Sequence, residues 1–160
     1  MAKNKAVKIE NIGSYFDVDE QGFIINPTSL EKIQSQWKPV IEEVSKVYQD
    51  VYSENLENVY IRGSVAKGQA VENISDIDTF AYVNLDKDNI NYEWVNDAEK
   101  IITKKYPFVE SVEFSVSPIS SAKDNKIILN QSLCVYGRPV DVPRLKIDKN
   151  LAIHAPNFIN

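Results

Sequence analysis

The stretch Val59–Val83, VYIRGSVAKGQAVENISDIDTFAYV, decides how this chain is read. It divides into a short apolar strand, a glycine turn at Gly63-Ser64, a polar loop carrying Lys67-Gly68, and a second strand that opens on Asp76-Ile77-Asp78. Side chains of an extended strand alternate between faces, so Asp76 and Asp78 share one face and Ile77 takes the other. Two carboxylates that close repel, and each raises the other's pKa unless a cation lies between them. Hard oxygen donors on rigid backbone suit Mg²⁺, which takes one or two carboxylates together with substrate phosphates. Upstream, Gly63 lets the backbone approach a ligand closely. The N–H groups of Ser64 and Val65 are placed to open a helix whose positive end attracts phosphate. Both halves ask for the same ligand, a metal-bound nucleotide triphosphate.

A chain of 160 residues fits one domain with a real core. Its apolar content of 43% and charged content of 26% are those of an ordinary globular protein. The net charge of −5 argues against an extended nucleic-acid surface, which Lys and Arg would have to supply. Cys134 stands alone, so neither a disulfide framework nor a cysteine metal cluster is expected. No apolar run approaches a membrane span, and MAKNKAVKIE lacks the apolar core of a signal peptide. These features predict a cytoplasmic location, where nucleotide triphosphates also are.

Around the central stretch the pattern alternates between helix and strand. Met1 to Gly13 reads as a frayed lead-in, and Ser14 to Pro27 as a hairpin around Asp19-Glu-Gln-Gly22. Asp17, Asp19 and Gly22 imitate a calcium loop, but Thr28 stands where its bidentate Glu should close. Thr28-Ser-Leu-Glu31 is a capping box that predicts a helix, interrupted at Trp37-Lys38-Pro39. A second helix restarts at Pro39 with Val40, Ile41, Val44, Val47, Tyr48 and Val51 as its core stripe. Ser53 to Asn58 then reads as a polar connection into the strand Val59–Arg62. A further helix is expected over Ile90–Tyr106, with Trp94, Val95, Ala98, Ile101 and Ile102 on one face and Pro107 ending it. Val109–Ser117 alternates almost strictly and predicts a strand, with Glu113 on its polar face. Lys123 to Val135 reads as a short helix bounded by Tyr136-Gly137, and the tail from Arg138 as irregular. The sole histidine, His154, falls in that tail and is given no catalytic role. The expected architecture is α/β (α+β), a small twisted mixed sheet with helices packed on one side, preceded by a hairpin and helices. One domain spans 1–160, with the lead-in and hairpin at 1–27, the core at 28–140 and the tail at 141–160.

Gly-Ser followed after eleven residues by Asp-Ile-Asp resembles the signature of polymerase-β-type nucleotidyltransferases. The Ser75-Asp-Ile-Asp78 wording and Lys67-Gly68 are most similar to bacterial aminoglycoside adenylyltransferases and minimal nucleotidyltransferases. Leu133-Cys-Val-Tyr-Gly-Arg-Pro139 also resembles the Leu-Tyr-Gly segment that follows the core of the aminoglycoside enzymes. The resemblance implies transfer of a nucleoside monophosphate, AMP from ATP first among the triphosphates, to a hydroxyl with release of pyrophosphate. It implies two Mg²⁺ ions held by Asp76 and Asp78, with a third carboxylate from a later strand that also takes the acceptor's proton. Glu113 is the expected third carboxylate, because VEFSV is similar to the Val-Glu strand of the aminoglycoside enzymes; Asp141 and Glu110 compete for the place. Gly63, Ser64, Lys67 and Ser75 are the expected nucleotide-binding positions, Ser75 chiefly as the cap of the turn. Arg62 is expected to reach the same cleft or cover the sheet edge.

The acceptor hydroxyl belongs to a small molecule, as in the aminoglycoside enzymes, or to a protein; the alternative is an antitoxin-like minimal nucleotidyltransferase that modifies or simply binds a partner protein. In the aminoglycoside enzymes a helical C-terminal domain helps hold the acceptor, and the tail at 141–160 is expected to be either the connection to such a domain or part of a protein that manages without one. A nucleotide-binding module without turnover fits less well, since every carboxylate of the motif is intact.

Overall fold

The computed structural model describes residues 16–146. The expected lead-in and His154 lie outside the described residues. Four strands form one mixed sheet in the order β3-β2-β1-β4. They are β1 (Leu56–Arg62), β2 (Ile77–Val83), β3 (Val112–Pro118) and β4 (Leu133–Gly137). β1 runs antiparallel to both β2 and β4, while β2 and β3 are parallel.

The two long helices, α1 (Lys38–Tyr52) and α3 (Val95–Lys105), pack on one face of that sheet. That face presents Val59 and Ile61 of β1, Ile77, Ala81 and Val83 of β2, and Val112, Phe114 and Val116 of β3. Against them α1 sets Val40, Ile41, Val44 and Tyr48, so most of the predicted stripe is core. Its last member differs: Val51 is exposed and Tyr52 is buried. In α3 the buried line is Ala98 and Ile102 with Trp94 packed beside them, whereas Ile101 is 63% exposed and leaves the predicted face. The 94/98/102 spacing of four turns toward the sheet, and Ile101, three residues after Ala98, lies at the margin of that stripe and faces solvent.

Two predicted helices are overturned. The capping box at Thr28 opens only a turn, because its groups are already engaged. The Thr28 N–H and hydroxyl both donate to Asn26 Oδ1, and Ser29 N–H donates to the Ala66 carbonyl of the neighbouring short helix. A 3-10 turn, Ser35–Trp37, runs directly into α1, and Lys38 is helical although it precedes Pro39. The second correction lies at 123–135. A 3-10 turn (Ile119–Asp124) and the short α4 (Lys126–Leu129) replace the expected helix, and Leu133–Val135 belong to β4. β1 offers an open edge there, and pairing with it satisfies backbone groups that a helix end would leave bare.

The predicted hairpin forms around Asp19–Gly22, with an antiparallel bridge from Val18 to Ile24. The Asp19 carboxylate accepts the N–H groups of Gln21 and Phe23. The described residues after β4, 138–146, are irregular and fold back onto this hairpin: Ile24 N–H donates to the Leu145 carbonyl, and Arg144 pairs with Asp19 at 2.7 Å. Among the described residues no helix is long and apolar enough to cross a membrane.

Candidate active site

The face of the sheet opposite α1 and α3 carries the even-numbered residues of β2. Cross-strand pairing sets Arg62 of β1 beside Asp78 of β2, and Asp78 beside Glu113 of β3. Three strands therefore place a guanidinium, a carboxylate and a second carboxylate in one row. Arg62 Nη2 lies 4.0 Å from Asp78 Oδ1. The Asp78 and Glu113 carboxyls are within hydrogen-bond reach of each other. Burial raises the Asp78 pKa above its ordinary value, the Glu113 carboxyl raises it further, and Arg62 pulls against both.

The glycine turn is built against this row. Arg62 ends β1 in extended geometry, and Gly63 begins the short α2 (Gly63–Lys67) at φ +75°. A Cβ on Gly63 would fall 2.5 Å from Asp78 Oδ2. Only glycine leaves room for the carboxylate and also accepts that backbone angle. The first-turn N–H groups at Ser64 and Val65 have no helical acceptor behind them. Lys67 lies half-buried in the last turn, and Gly68 closes it in the left-handed region.

The remaining expected residues divide. Asp76 is exposed one residue ahead of β2, outside the row of three strands. Ser75 closes its own loop: its Oγ accepts the Val71 N–H and its N–H donates to the Val71 carbonyl. That is the turn-capping geometry, with the hydroxyl accepting one local bond. Glu110 is exposed ahead of β3, its N–H donating to the Ser75 carbonyl, and Asp141 is exposed in a segment that forms no strand. Of the three candidates for a later carboxylate, Glu113 is the one that stands beside Asp78.

A family profile described as nucleotidyltransferase domain matches residues 40–132, more than half of the chain. The chain belongs to the nucleotidyltransferase domain family. The matched span of this nucleotidyltransferase runs from the first turn of α1 to the residue before β4, so it contains the whole Arg62–Asp78–Glu113 row. No curated protein matches significantly. Among solved structures, a toxin–antitoxin complex with AMP-PNP aligns at 20% identity and TM-score 0.43, over 61% of this chain and 73% of that one. A putative nucleotidyltransferase from Sulfolobus solfataricus aligns at 22% identity and TM-score 0.40, over 69% and 94% respectively. A third is a tri-AMPylated Shewanella oneidensis HEPN toxin in complex with MNT antitoxin, at 14% identity and TM-score 0.38, over 62% and 73%.

Whether divalent metal suits the nucleotidyltransferase site turns on its donors. Asp78 and Glu113 are two adjacent oxygen donors whose mutual repulsion a cation would relieve. Among the described residues no set of three carboxylates, histidines or cysteines is gathered closely enough to hold a metal ion. The pair fits one hard cation; the expected trio with Asp76 is not assembled. What sequence reading missed is the cross-strand neighbourhood of Arg62 and Asp78, since the pairing partner of a strand residue leaves no local signal.

Proposed function

We propose that this protein transfers a nucleoside monophosphate, AMP from ATP first among candidates, to an acceptor hydroxyl with release of pyrophosphate. The observation that carries this reading is the Asp78–Glu113 carboxyl pair set against the Cβ-free flank of Gly63, inside a nucleotidyltransferase domain. The acceptor oxygen attacks the α-phosphorus in line as the bond from that phosphorus to the oxygen bridging the β-phosphate breaks. The acceptor proton passes to the Glu113 carboxylate, and pyrophosphate leaves with the bridging oxygen. Asp78 and Glu113 would hold Mg²⁺, with Asp76, exposed one residue ahead of β2, turning in to join them on binding; the ion would supply charge stabilisation to the attacking and leaving oxygens. Ser64 and the α2 backbone N–H groups face the triphosphate, and Gly63 gives it clearance. Lys67 and Arg62 offer it positive charge; Arg62 already stands at Asp78.

The acceptor is a small-molecule hydroxyl, aminoglycoside-like in class, or a hydroxyl on a partner protein. Incubation with each labelled triphosphate and Mg²⁺, with and without aminoglycosides, separates the two. Label that depends on added aminoglycoside identifies the first, and label on protein the second. Asp76→Asn and Asp78→Asn are each expected to abolish turnover, and Glu113→Gln to lose chemistry more than nucleotide binding. Pyrophosphate release at the wild-type rate from either aspartate variant would end this reading.

A further inference from the structure

Behind the carboxyl row, on the helix-covered face, lies a buried polar network that the transfer chemistry does not touch. Thr79 follows Asp78 in β2 and points the opposite way, into the core, where it is 3% exposed. Its hydroxyl donates to the main-chain carbonyl of Glu113 at 2.7 Å. Tyr48 of α1, fully buried, brings its hydroxyl to 2.8 Å from Thr79 Oγ1. The same hydroxyl lies 3.2 Å from the Ser115 carbonyl and accepts the Ser115 N–H at 3.2 Å. Burial pushes the Tyr48 phenol well above its ordinary pKa, so it stays a neutral donor and acceptor.

The location of this network is what gives it meaning. β2 and β3 are parallel and joined by residues 84–111, so no tight turn sets their register. A slip of one residue would send Glu113 to the opposite face, away from Asp78. Apolar packing of Ile77, Phe114 and Val116 favours the observed alternation but bonds no backbone group of the residue that carries the second carboxylate. Thr79 does so, and Tyr48 bonds the backbone two residues farther on. A valine fills the space of threonine and lacks only the hydroxyl.

Resting on the transfer function proposed above, we infer that Thr79 and Tyr48 are positioning residues. They clamp β3 to β2 through hydrogen bonds at Glu113 and Ser115, and so hold the Asp78 and Glu113 carboxylates side by side for cation and nucleotide.

The test compares Thr79→Val, Thr79→Ser and Tyr48→Phe with the wild type, at a temperature where each is folded by circular dichroism. The readouts are binding of Mn²⁺ alone and the kcat and KM for the triphosphate. Thr79→Val and Tyr48→Phe should each weaken Mn²⁺ binding and lower kcat by about tenfold or more, with KM for nucleotide nearly unchanged. Thr79→Ser, which restores the hydroxyl, should recover most of both. A merely structural pair would lower melting temperature and leave Mn²⁺ binding and kcat at wild-type levels; that result overturns the inference, as does a serine variant no better than valine. Should Thr79→Val not fold, Tyr48→Phe and Thr79→Ser decide the matter by the same readouts. Asp78→Asn separates the two failures. If it loses Mn²⁺ binding while Tyr48→Phe and Thr79→Val keep theirs, only the clamp falls. If it binds Mn²⁺ as the wild type does, the carboxylate site falls and the clamp with it.

Discussion

At Gly63 a backbone angle and a close approach impose the same residue. Alanine there must adopt φ +75° and place its methyl against Asp78 Oδ2. Strain of that kind costs about 1–3 kcal/mol, and relief comes from moving the carboxylate. Gly63→Ala is therefore expected to lower turnover by about tenfold or more while the protein still folds; denaturant titration beside a pyrophosphate assay reads both. Asp78 itself is held unfavourably. Its pKa is raised above the ordinary 3.8, first by burial and then by Glu113. A carboxyl with a raised folded-state pKa contributes stability that is fully present below pH 3.8 and is lost as pH rises through the raised value. Metal-free Asp78→Asn should thus melt higher than the wild type at pH 7, and that advantage should vanish as pH falls below 3.8. A variant that melts lower at pH 7 would mean that Arg62 outweighs burial. The motif residues were legible from spacing, and the meeting of Asp78 with Glu113 from the family resemblance; the Arg62–Asp78 neighbourhood was not, because a strand residue carries no mark of its partner.

Among the elements, α1 binds the most together. It buries Val40, Val44 and Tyr48 under the sheet and meets Trp94, the residue before α3, through aromatic edges, Tyr48 at 5.6 Å and Tyr52 at 6.1 Å. Outside that seam Glu43 receives hydrogen bonds from Lys105 Nζ at 2.6 Å and the Tyr106 hydroxyl at 2.9 Å. Within α3 two adjacent isoleucines give a direct test of which stripe faces the sheet. Ile102 has no exposed surface, so Ile102→Ala should cost about 2–5 kcal/mol. Ile101 is 63% exposed, and Ile101→Ala should change stability by less than about 0.5 kcal/mol. Equal losses in urea titrations would contradict this packing. The helical period was readable over α1 and α3, but hydrophobicity alone does not tell which isoleucine at a stripe's margin turns inward. Thr28-Ser-Leu-Glu31 shows the converse: a local capping signal lost to the bonds with Asn26 and Ala66.

Over the whole molecule, the segments before and after the sheet close on each other. Arg144 ion-pairs with Asp19 at 2.7 Å, its guanidinium lies 5.0 Å from the Phe23 ring centroid, and Lys146 Nζ lies 4.6 Å from the same centroid. The tail also covers the sheet's second face: Val140 N–H donates to the Tyr60 hydroxyl at 2.7 Å, and burial pushes that phenol up to about 12. Arg144→Ala removes an ion pair and a cation–π contact together and should lower stability slightly. The loss should shrink at high salt, which denaturant titrations at two ionic strengths would reveal.

Residue order by itself determined the strand–turn–strand around Gly63 and Asp78, the alternation that puts Glu113 on the polar face, and the stripe of α1. Each depends on neighbours along the chain and on backbone periods of 2.0 and 3.6. Only the tertiary structure decided that Leu133–Gly137 is a strand, that the tail meets the hairpin, and that Asp78 and Glu113 share one level of the sheet. Those outcomes depend on which open edge or unpaired backbone group lies nearby in space, and partners far apart in the chain compete for it.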